Sequence, residues 1–175
     1  MTRISHPGAV VHHSASAQTK TPEAIRRDHM APKPHGRGWA DIGYHFVLYL
    51  TDEGWEVAHG RPLGRKGAHD FGANDLVGVC VCGDYTREEL PAEARDKLVA
   101  LLADLAQVYH FGAGDIYGHR ERAPGEHDAD ATDCPGFEMP PIRAAVEIEL
   151  EHRERAKVAS RGVAVLEPHV SEVTA

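Results

Sequence analysis

The 175-residue sequence contains no apolar run that could cross a lipid bilayer, and it has no surplus of basic residues. A membrane-spanning helix needs about 20 apolar residues, whereas the longest runs, such as Val77 to Cys82, are far shorter. The first residues, Met1 to Pro7, lack the apolar core of a secretory signal, so we expect cytoplasmic synthesis. With 19 basic against 27 acidic residues, the formal net charge of −8 argues against nucleic acid as the main partner. We therefore expect a globular protein with neither a membrane nor a nucleic-acid partner.

Cysteine is also scarce, with three residues at positions 80, 82 and 134. Cys80 and Cys82 are two residues apart in a β-like run, so both side chains point to the same face and cannot easily bridge each other. We therefore expect two core thiols, no disulfide framework and a reducing compartment. Cys134 stands alone in a polar loop, where it is a candidate metal ligand or nucleophile.

Strand-like and helix-like segments alternate along the chain. Short β-branched or apolar runs predict strands at residues 8–14, 43–50, 55–58, 76–82 and 115–117. Thr21 as the N-cap and Pro22 at the first helical position predict a helix that ends near Met30. Apolar residues at helical spacing predict a second helix from Pro91 to Tyr109. This alternation predicts an α/β fold with a central mixed β-sheet flanked by helices.

The last third of the chain is predicted to be a loop followed by a helix. Residues 120–141 contain four prolines and an acidic cluster between Glu121 and Asp133, which indicates a long loop. A third helix is expected from Ile142 to about Val158, and the last dozen residues are expected to be frayed. We therefore divide the chain into a main domain, 1–141, and a C-terminal helix and tail, 142–175. That helix is expected either to pack on the domain or to mediate self-association.

Three residues are candidates for a metal site. His12 ends the first predicted strand, His119 ends a later one, and Cys134 lies in the following loop. Histidine nitrogen and cysteine sulfur are the usual zinc ligands, and a catalytic zinc site uses three of them with one open position. Spacing alone is equally compatible with a hydrogen-bonded surface histidine at 119 and a half-buried thiol at 134.

Four motifs occur in order along the chain: Val-Val-His-His-Ser-Ala at 10–15, Trp-Ala-Asp-Ile-Gly-Tyr-His-Phe at 39–46, Gly-His-Arg at 118–120 and Thr-Asp-Cys-Pro-Gly-Phe at 132–137. Together they resemble the zinc-dependent N-acetylmuramoyl-L-alanine amidases. That superfamily includes small phage endolysins, bacterial type-2 amidases and animal peptidoglycan recognition proteins. The resemblance covers roughly residues 8–140, and four linked motifs in this order make a chance match improbable.

The resemblance implies a role for particular residues. It implies Zn²⁺ as the cofactor, with His12, His119 and Cys134 as its ligands. It implies that Tyr44 lies beside the scissile carbonyl and that Thr132 assists in the same region by a hydrogen bond. It also implies substrate-binding roles for His69, Trp39 and Asn74. The fold that it implies is the α/β fold of the amidases and peptidoglycan recognition proteins.

Two departures from the family pattern stand out. Fourteen residues separate His119 from Cys134, more than is usual in the family. We therefore expect the substrate groove next to this segment to differ in shape from that of the family. Cys80 stands where some bacterial relatives carry a catalytic glutamate. We therefore do not expect a carboxylate general base here, and Tyr44 and Thr132 become the main catalytic candidates. His45, next to Tyr44, is expected to be structural.

The implied activity is hydrolysis of the amide bond between N-acetylmuramic acid and L-alanine in peptidoglycan. The expected partner is peptidoglycan or a muropeptide. The expected biological role is that of a phage or prophage endolysin, which reaches the cell wall after its release. Two alternatives of the same family are a cytoplasmic muropeptide-recycling amidase and a non-catalytic peptidoglycan binder. A thiol hydrolase that uses Cys134 with His119 and a regulatory interaction protein are further alternatives.

Overall fold

The computed structural model describes residues 6–122 and 132–164. Its centre is a five-stranded sheet with the strand order β3-β2-β4-β1-β5. The strands are β1 (Ala9–His13), β2 (Phe46–Thr51), β3 (Gly54–His59), β4 (Val77–Val81) and β5 (Ile116–Gly118). Strand β3 pairs antiparallel with β2, and the other neighbours are parallel. The mixed sheet predicted from the alternating pattern is therefore confirmed.

Four α-helices surround the sheet in the described residues: α1 (Pro22–Met30), α2 (Ala92–Tyr109), α3 (His119–Arg122) and α4 (Met139–Ala164). The hydroxyl of Thr21 accepts the Ala24 N–H at 3.2 Å, as expected for the N-cap of α1. Helix α2 ends at Tyr109, and the left-handed backbone of its C-cap residue His110 (φ +60°) lets the Phe111 N–H reach the Ala106 carbonyl at 3.2 Å. None of the described helices combines the length and the apolarity that crossing a membrane requires.

The two faces of the sheet are covered differently. Residues at alternate positions of the strands point to opposite faces. One face joins α2 and α4 in the main core, which includes Ala9, Val11, Val77, Val79, Leu98, Leu102, Ile142 and Val146. The other face packs against α1 and the following loop through an apolar cluster that includes Ile25, Ile42, Val47, Cys80 and Cys82. His12 lies on this second face, so the candidate site is on the side of the sheet opposite α2 and α4.

Two predictions of element boundaries were wrong. Strand β2 begins at Phe46 rather than Gly43, because the Gly43 N–H donates to the ring of His29 instead of a neighbouring strand. The predicted loop 120–141 is interrupted at both ends, since α3 begins directly after β5 and α4 begins at Met139. Prolines 140 and 141 fit in the first turn of α4, where backbone N–H groups have no partner within the helix.

Helix α4 is part of the packed domain at its start. Met139, Ile142 and Val146 are buried in the main core, where α4 packs against α2. Residue 141, at which the sequence was divided, lies within this helix, and the helix continues past Val158 to Ala164. The acidic segment between 123 and 131 and the tail from 165 onwards lie outside the described residues.

Candidate active site

A cleft of about 630 Å³ opens at the carboxyl ends of β1 and β5. All eight residues named from the sequence as site candidates line it: His12, Trp39, Tyr44, His69, Asn74, His119, Thr132 and Cys134. They come from the first strand, three separate loops and the start of α3. The fold thus gathers into one cleft residues that span more than a hundred positions of the chain.

His12, His119 and Cys134 form the centre of the cleft. One potential ligand atom from each lies within 4.8 Å of the others. The Sγ of Cys134 is 3.7 Å from Nδ1 of His12, and the ring centroids of His12 and His119 are 4.5 Å apart. Two imidazole nitrogens and one sulfur are a donor set typical of zinc, and three protein ligands leave one coordination position open. The residues present therefore fit a catalytic zinc ion.

The protonation states of these groups also suit a metal rather than a free nucleophile. Burial raises the pKa of the Cys134 thiol to about 12, although its sulfur accepts the His13 N–H at 3.3 Å. Burial, followed by the nearby rings of His69 and His119, lowers the pKa of His12 well below its usual value. The imidazole is therefore neutral and can offer a lone pair. The thiol needs a neighbouring cation to ionise, which a bound metal provides.

His69 is hydrogen-bonded at both ring nitrogens. Its Nδ1 lies 3.1 Å from Nε2 of His12, and its Nε2 lies 3.2 Å from the Leu76 carbonyl oxygen. Burial lowers the pKa of His69 to about 3, so its ring is neutral. The side-chain oxygen of Asn74 accepts the backbone N–H groups of His69 and Asp70, at 2.7 and 3.1 Å. Asn74 therefore shapes the turn that carries His69.

Tyr44 lies beside the centre, with its ring 5.2 Å from that of His12. Its side chain packs against the apolar cluster that contains Cys80. Burial, and then the nearby thiols of Cys80 and Cys134, raises the pKa of Tyr44 well above its usual value. The phenol is therefore protonated, and it can serve as a hydrogen-bond donor.

Thr132 and Trp39 occupy different parts of the cleft. The Thr132 hydroxyl accepts the Cys134 N–H at 3.1 Å, which fixes the turn that presents the sulfur. The Trp39 ring lies 4.8 Å from that of His29, and the guanidinium of Arg37 lies 5.7 Å from its centroid. This aromatic and cationic wall is the side of the cleft formed by the loop after α1.

Sequence reasoning missed His29, which also lines the cleft. Its Nδ1 accepts the Gly43 N–H at 3.0 Å, which leaves the ring proton on Nε2. Burial, and then the charge of Arg37, lowers the pKa of His29 to about 4, so it is a neutral donor. Its position at the end of α1 carries no motif, and no spacing in the sequence distinguishes it from the other histidines.

The predicted structural role of His45 agrees with its surroundings. The side chain is buried, its Nδ1 accepts the Gly78 N–H at 2.9 Å, and its Nε2 lies 3.0 Å from the Arg65 carbonyl. It thereby joins the start of β2 to β4 and to the loop behind the cleft.

With this geometry in hand, the comparisons with known proteins identify the family. Residues 4–137 match the family model described as N-acetylmuramoyl-L-alanine amidase. The chain belongs to this family. Peptidoglycan-recognition protein SC1a/b of Drosophila simulans is 30% identical over 133 residues, which cover 73% of this chain and 66% of the relative. The match thus spans slightly less than two thirds of that relative's length.

Solved structures give the same fold. The N-acetylmuramoyl-L-alanine amidase LysC from Clostridium intestinale superposes with a TM-score of 0.67 at 28% identity, covering 81% of this chain and 85% of that one. A Drosophila peptidoglycan recognition protein LB variant, solved in complex with tracheal cytotoxin, superposes with a TM-score of 0.59 at 28% identity. It covers 75% of this chain and 76% of that one. The amidase and peptidoglycan-recognition fold predicted from the motifs is confirmed.

Proposed function

We propose that the protein is a zinc-dependent amidase that cleaves the bond between the lactyl group of N-acetylmuramic acid and L-alanine. The observation that carries this proposal is the convergence of His12, His119 and Cys134, within 4.8 Å of one another, at the centre of the cleft. Membership of the amidase family supports the reaction type. The convergence of all three ligands favours an active enzyme over a non-catalytic peptidoglycan binder.

His12, His119 and Cys134 would hold the ion. When bound, zinc supplies Lewis-acid chemistry: it polarises a carbonyl and lowers the pKa of water toward about 7. The protein contributes the neutral, buried imidazole of His12, the half-buried ring of His119 and a thiol whose sulfur accepts the His13 N–H. That N–H stabilises the sulfur as an anion and aims it into the cleft. The Thr132 hydroxyl holds the Cys134 backbone, so its contribution is a hydrogen bond rather than proton abstraction.

Tyr44 is the proposed donor to the oxygen that gains negative charge during the reaction. Its phenol stays protonated because burial raises its pKa. Rotation about the Cζ–O bond can direct this proton toward a substrate oxygen. A donor of this kind contributes about 3 kcal/mol to the transition state, or a hundredfold or more in rate.

The proposed substrate is peptidoglycan or a soluble muropeptide. A cleft of about 630 Å³ is large enough for part of a sugar and the first residues of a stem peptide. Trp39 and the neutral His29 donor give the cleft an aromatic wall with a hydrogen-bond donor, which suits a sugar or a peptide. The complex of the related LB protein with tracheal cytotoxin supports a ligand of this class.

The biological setting that we propose is that of a phage or prophage endolysin acting on the cell wall, in line with the similarity to the endolysin amidase LysCS from Clostridium intestinale. The recycling alternative predicts a different substrate. Turnover should be compared on insoluble sacculi and on soluble anhydro-muropeptides. Faster turnover on sacculi supports the endolysin, and turnover confined to soluble muropeptides supports a recycling amidase.

The activity itself is tested by incubating zinc-loaded protein with purified sacculi and counting new L-alanine amino termini. We expect these termini to accumulate, to disappear with a chelator and to return when zinc is added. Binding to sacculi without new termini would instead identify a non-catalytic binder. Termini that form equally well in the presence of chelator would contradict the zinc-dependent reaction.

A further inference from the structure

We propose that His69 is a positioning residue that fixes the tautomer and the orientation of His12, so that Nδ1 of His12 faces the metal position. This inference rests on the proposed function, because it assigns His12 to the metal site. It gives His69 a different role from the substrate contact that the family resemblance implies. The argument depends on which ring nitrogens can donate and which can accept.

The hydrogen bonds that link His12, His69 and the Leu76 carbonyl all run in one direction. A backbone carbonyl can only accept, so the 3.2 Å contact of His69 Nε2 with the Leu76 oxygen requires the proton on Nε2. In a neutral ring this leaves Nδ1 of His69 as an acceptor. The partner at 3.1 Å, Nε2 of His12, must then donate. The lone pair of His12 is therefore on Nδ1, the nitrogen that lies 3.7 Å from Cys134 Sγ.

The alternative tautomer of His12 would be wrong for the site. With its proton on Nδ1, His12 would present an N–H to the metal position and could not act as a ligand there. It would also direct its Nε2 lone pair at the Nδ1 lone pair of His69. The Leu76 carbonyl therefore acts through two rings to select the binding-competent form of His12.

The protein holds the His69 ring in a tight slot. A Cβ atom at Gly78 or at Gly67 would overlap Cδ2 of His69, so both positions need glycine for the ring to fit. The Asn74 amide oxygen fixes the backbone of the same residue at 2.7 Å. The ring is thus fixed by packing from two sides, by its own backbone and by the Leu76 carbonyl. Such control fits a residue whose task is to hold another side chain.

A substrate contact alone explains these features less well. Both ring nitrogens of His69 are within hydrogen-bond distance of protein atoms, at 3.1 and 3.2 Å. A residue with both ring nitrogens so engaged has little left to offer a substrate. Hydrogen bonds to the far nitrogen of a metal-binding histidine typically change metal affinity by 10- to 100-fold.

The test uses two variants of nearly equal shape. His69→Leu removes the acceptor, whereas His69→Asn keeps an amide oxygen close to the former Nδ1 position. We expect His69→Leu to weaken zinc binding by about 10- to 100-fold, measured by competition with a chromogenic chelator. We expect His69→Asn to recover most of that affinity. His152→Leu, which removes an exposed histidine on α4, is the matched control and should bind zinc like the unmodified protein.

The same variants separate a positioning role from a substrate contact. Unchanged zinc affinity in His69→Leu, together with a higher KM at unchanged kcat, would overturn the proposal and assign His69 to substrate. Equal loss in His69→Leu and His69→Asn would also count against it, because the acceptor would then not matter.

The unmodified protein gives an independent measurement that requires neither activity nor a variant that folds. Long-range ¹H–¹⁵N correlation spectra identify which nitrogen of each histidine carries the proton. We expect His12 and His69 both to be protonated on Nε2 alone, with and without zinc. A proton on Nδ1 of His12 would refute the proposed positioning of His12 by His69. If the unmodified protein binds no zinc, the proposed function fails. The measured tautomers of His12 and His69 still decide whether His69 positions His12.

Discussion

The register of the sheet pairs His12 of β1 with Cys80 of β4. Directly paired residues on neighbouring strands point to the same face, so the thiol lies next to the imidazole on the cleft side. Cys80 is fully buried there, and Tyr44 packs against the apolar cluster to which Cys80 belongs. Burial raises the pKa of the Cys80 thiol well above its usual value, so a neutral thiol lies beside His12 on the cleft side of the sheet.

The first prediction concerns the thiol ligand. Cys134→Ser should lose zinc and amidase activity together, because a serine hydroxyl does not ionise to replace a thiolate ligand. Metal content after dialysis and release of L-alanine termini measure the two effects. Cys82→Ser is the control: the Cys82 thiol donates to the Lys20 carbonyl at 3.1 Å, which a hydroxyl can also do. Full zinc content and activity in Cys134→Ser would contradict the assignment.

The second prediction separates chemistry from metal binding. Tyr44→Phe should retain zinc while kcat falls a hundredfold or more, since only the hydroxyl donor is removed. Tyr49→Phe removes an exposed hydroxyl that donates to Glu56 and should leave kcat unchanged. A Tyr44→Phe enzyme with unaltered kcat would show that the hydroxyl takes no part in the reaction.

The third prediction distinguishes the zinc enzyme from a thiol hydrolase. Burial raises the pKa of Cys134 to about 12 and that of Cys82 to about 11, and it raises the pKa of Cys80 well above its usual value. A metal-free Cys134 thiol would therefore stay protonated at pH 7, and the thiolate is the reactive form. Iodoacetamide at neutral pH should therefore leave the native enzyme active, while a chelator should inactivate it. Rapid inactivation by iodoacetamide with indifference to chelators would support a Cys134 nucleophile.

The fourth prediction tests whether α4 belongs to the main core. Val146 is fully buried, whereas Val158 on the same helix is 60% exposed. Val146→Ala should lower the free energy of unfolding by about 2 kcal/mol, because two buried methyl groups are lost. Val158→Ala should change it by less than about 0.5 kcal/mol. Urea denaturation of the two variants measures both, and equal values would argue against α4 as part of the folded domain.

Sequence reasoning located the strands and helices that depend on local pattern. The helical spacing of Leu98 and Leu102 predicted α2, and the β-branched run before His12 predicted β1. The start of α4 was missed because Pro140 and Pro141 were interpreted as loop residues, although prolines are tolerated in the first turn of a helix. Local signals of this kind are ambiguous at the ends of elements.

The site residues that the sequence could predict are those that lie in recognisable motifs. His12, His119 and Cys134 were found through linked motifs, and the structure brings them together. The contact of His69 with His12 joins residues 57 positions apart and depends on a ring slot that Gly67 and Gly78 leave open. The position of Cys80 beside His12 likewise depends on strand register. Neither relationship has a signature in sequence spacing, because both arise from tertiary packing.

The central claim is that one zinc ion binds two imidazoles and the Cys134 sulfur. X-ray absorption at the zinc edge of the purified, zinc-loaded protein measures this ligand set directly. The account predicts nitrogen scatterers at about 2.0–2.1 Å and one sulfur scatterer at about 2.3 Å. The sulfur should be absent from the spectrum of any zinc retained by Cys134→Ser. A spectrum of the unmodified protein with nitrogen and oxygen scatterers only would contradict the claim.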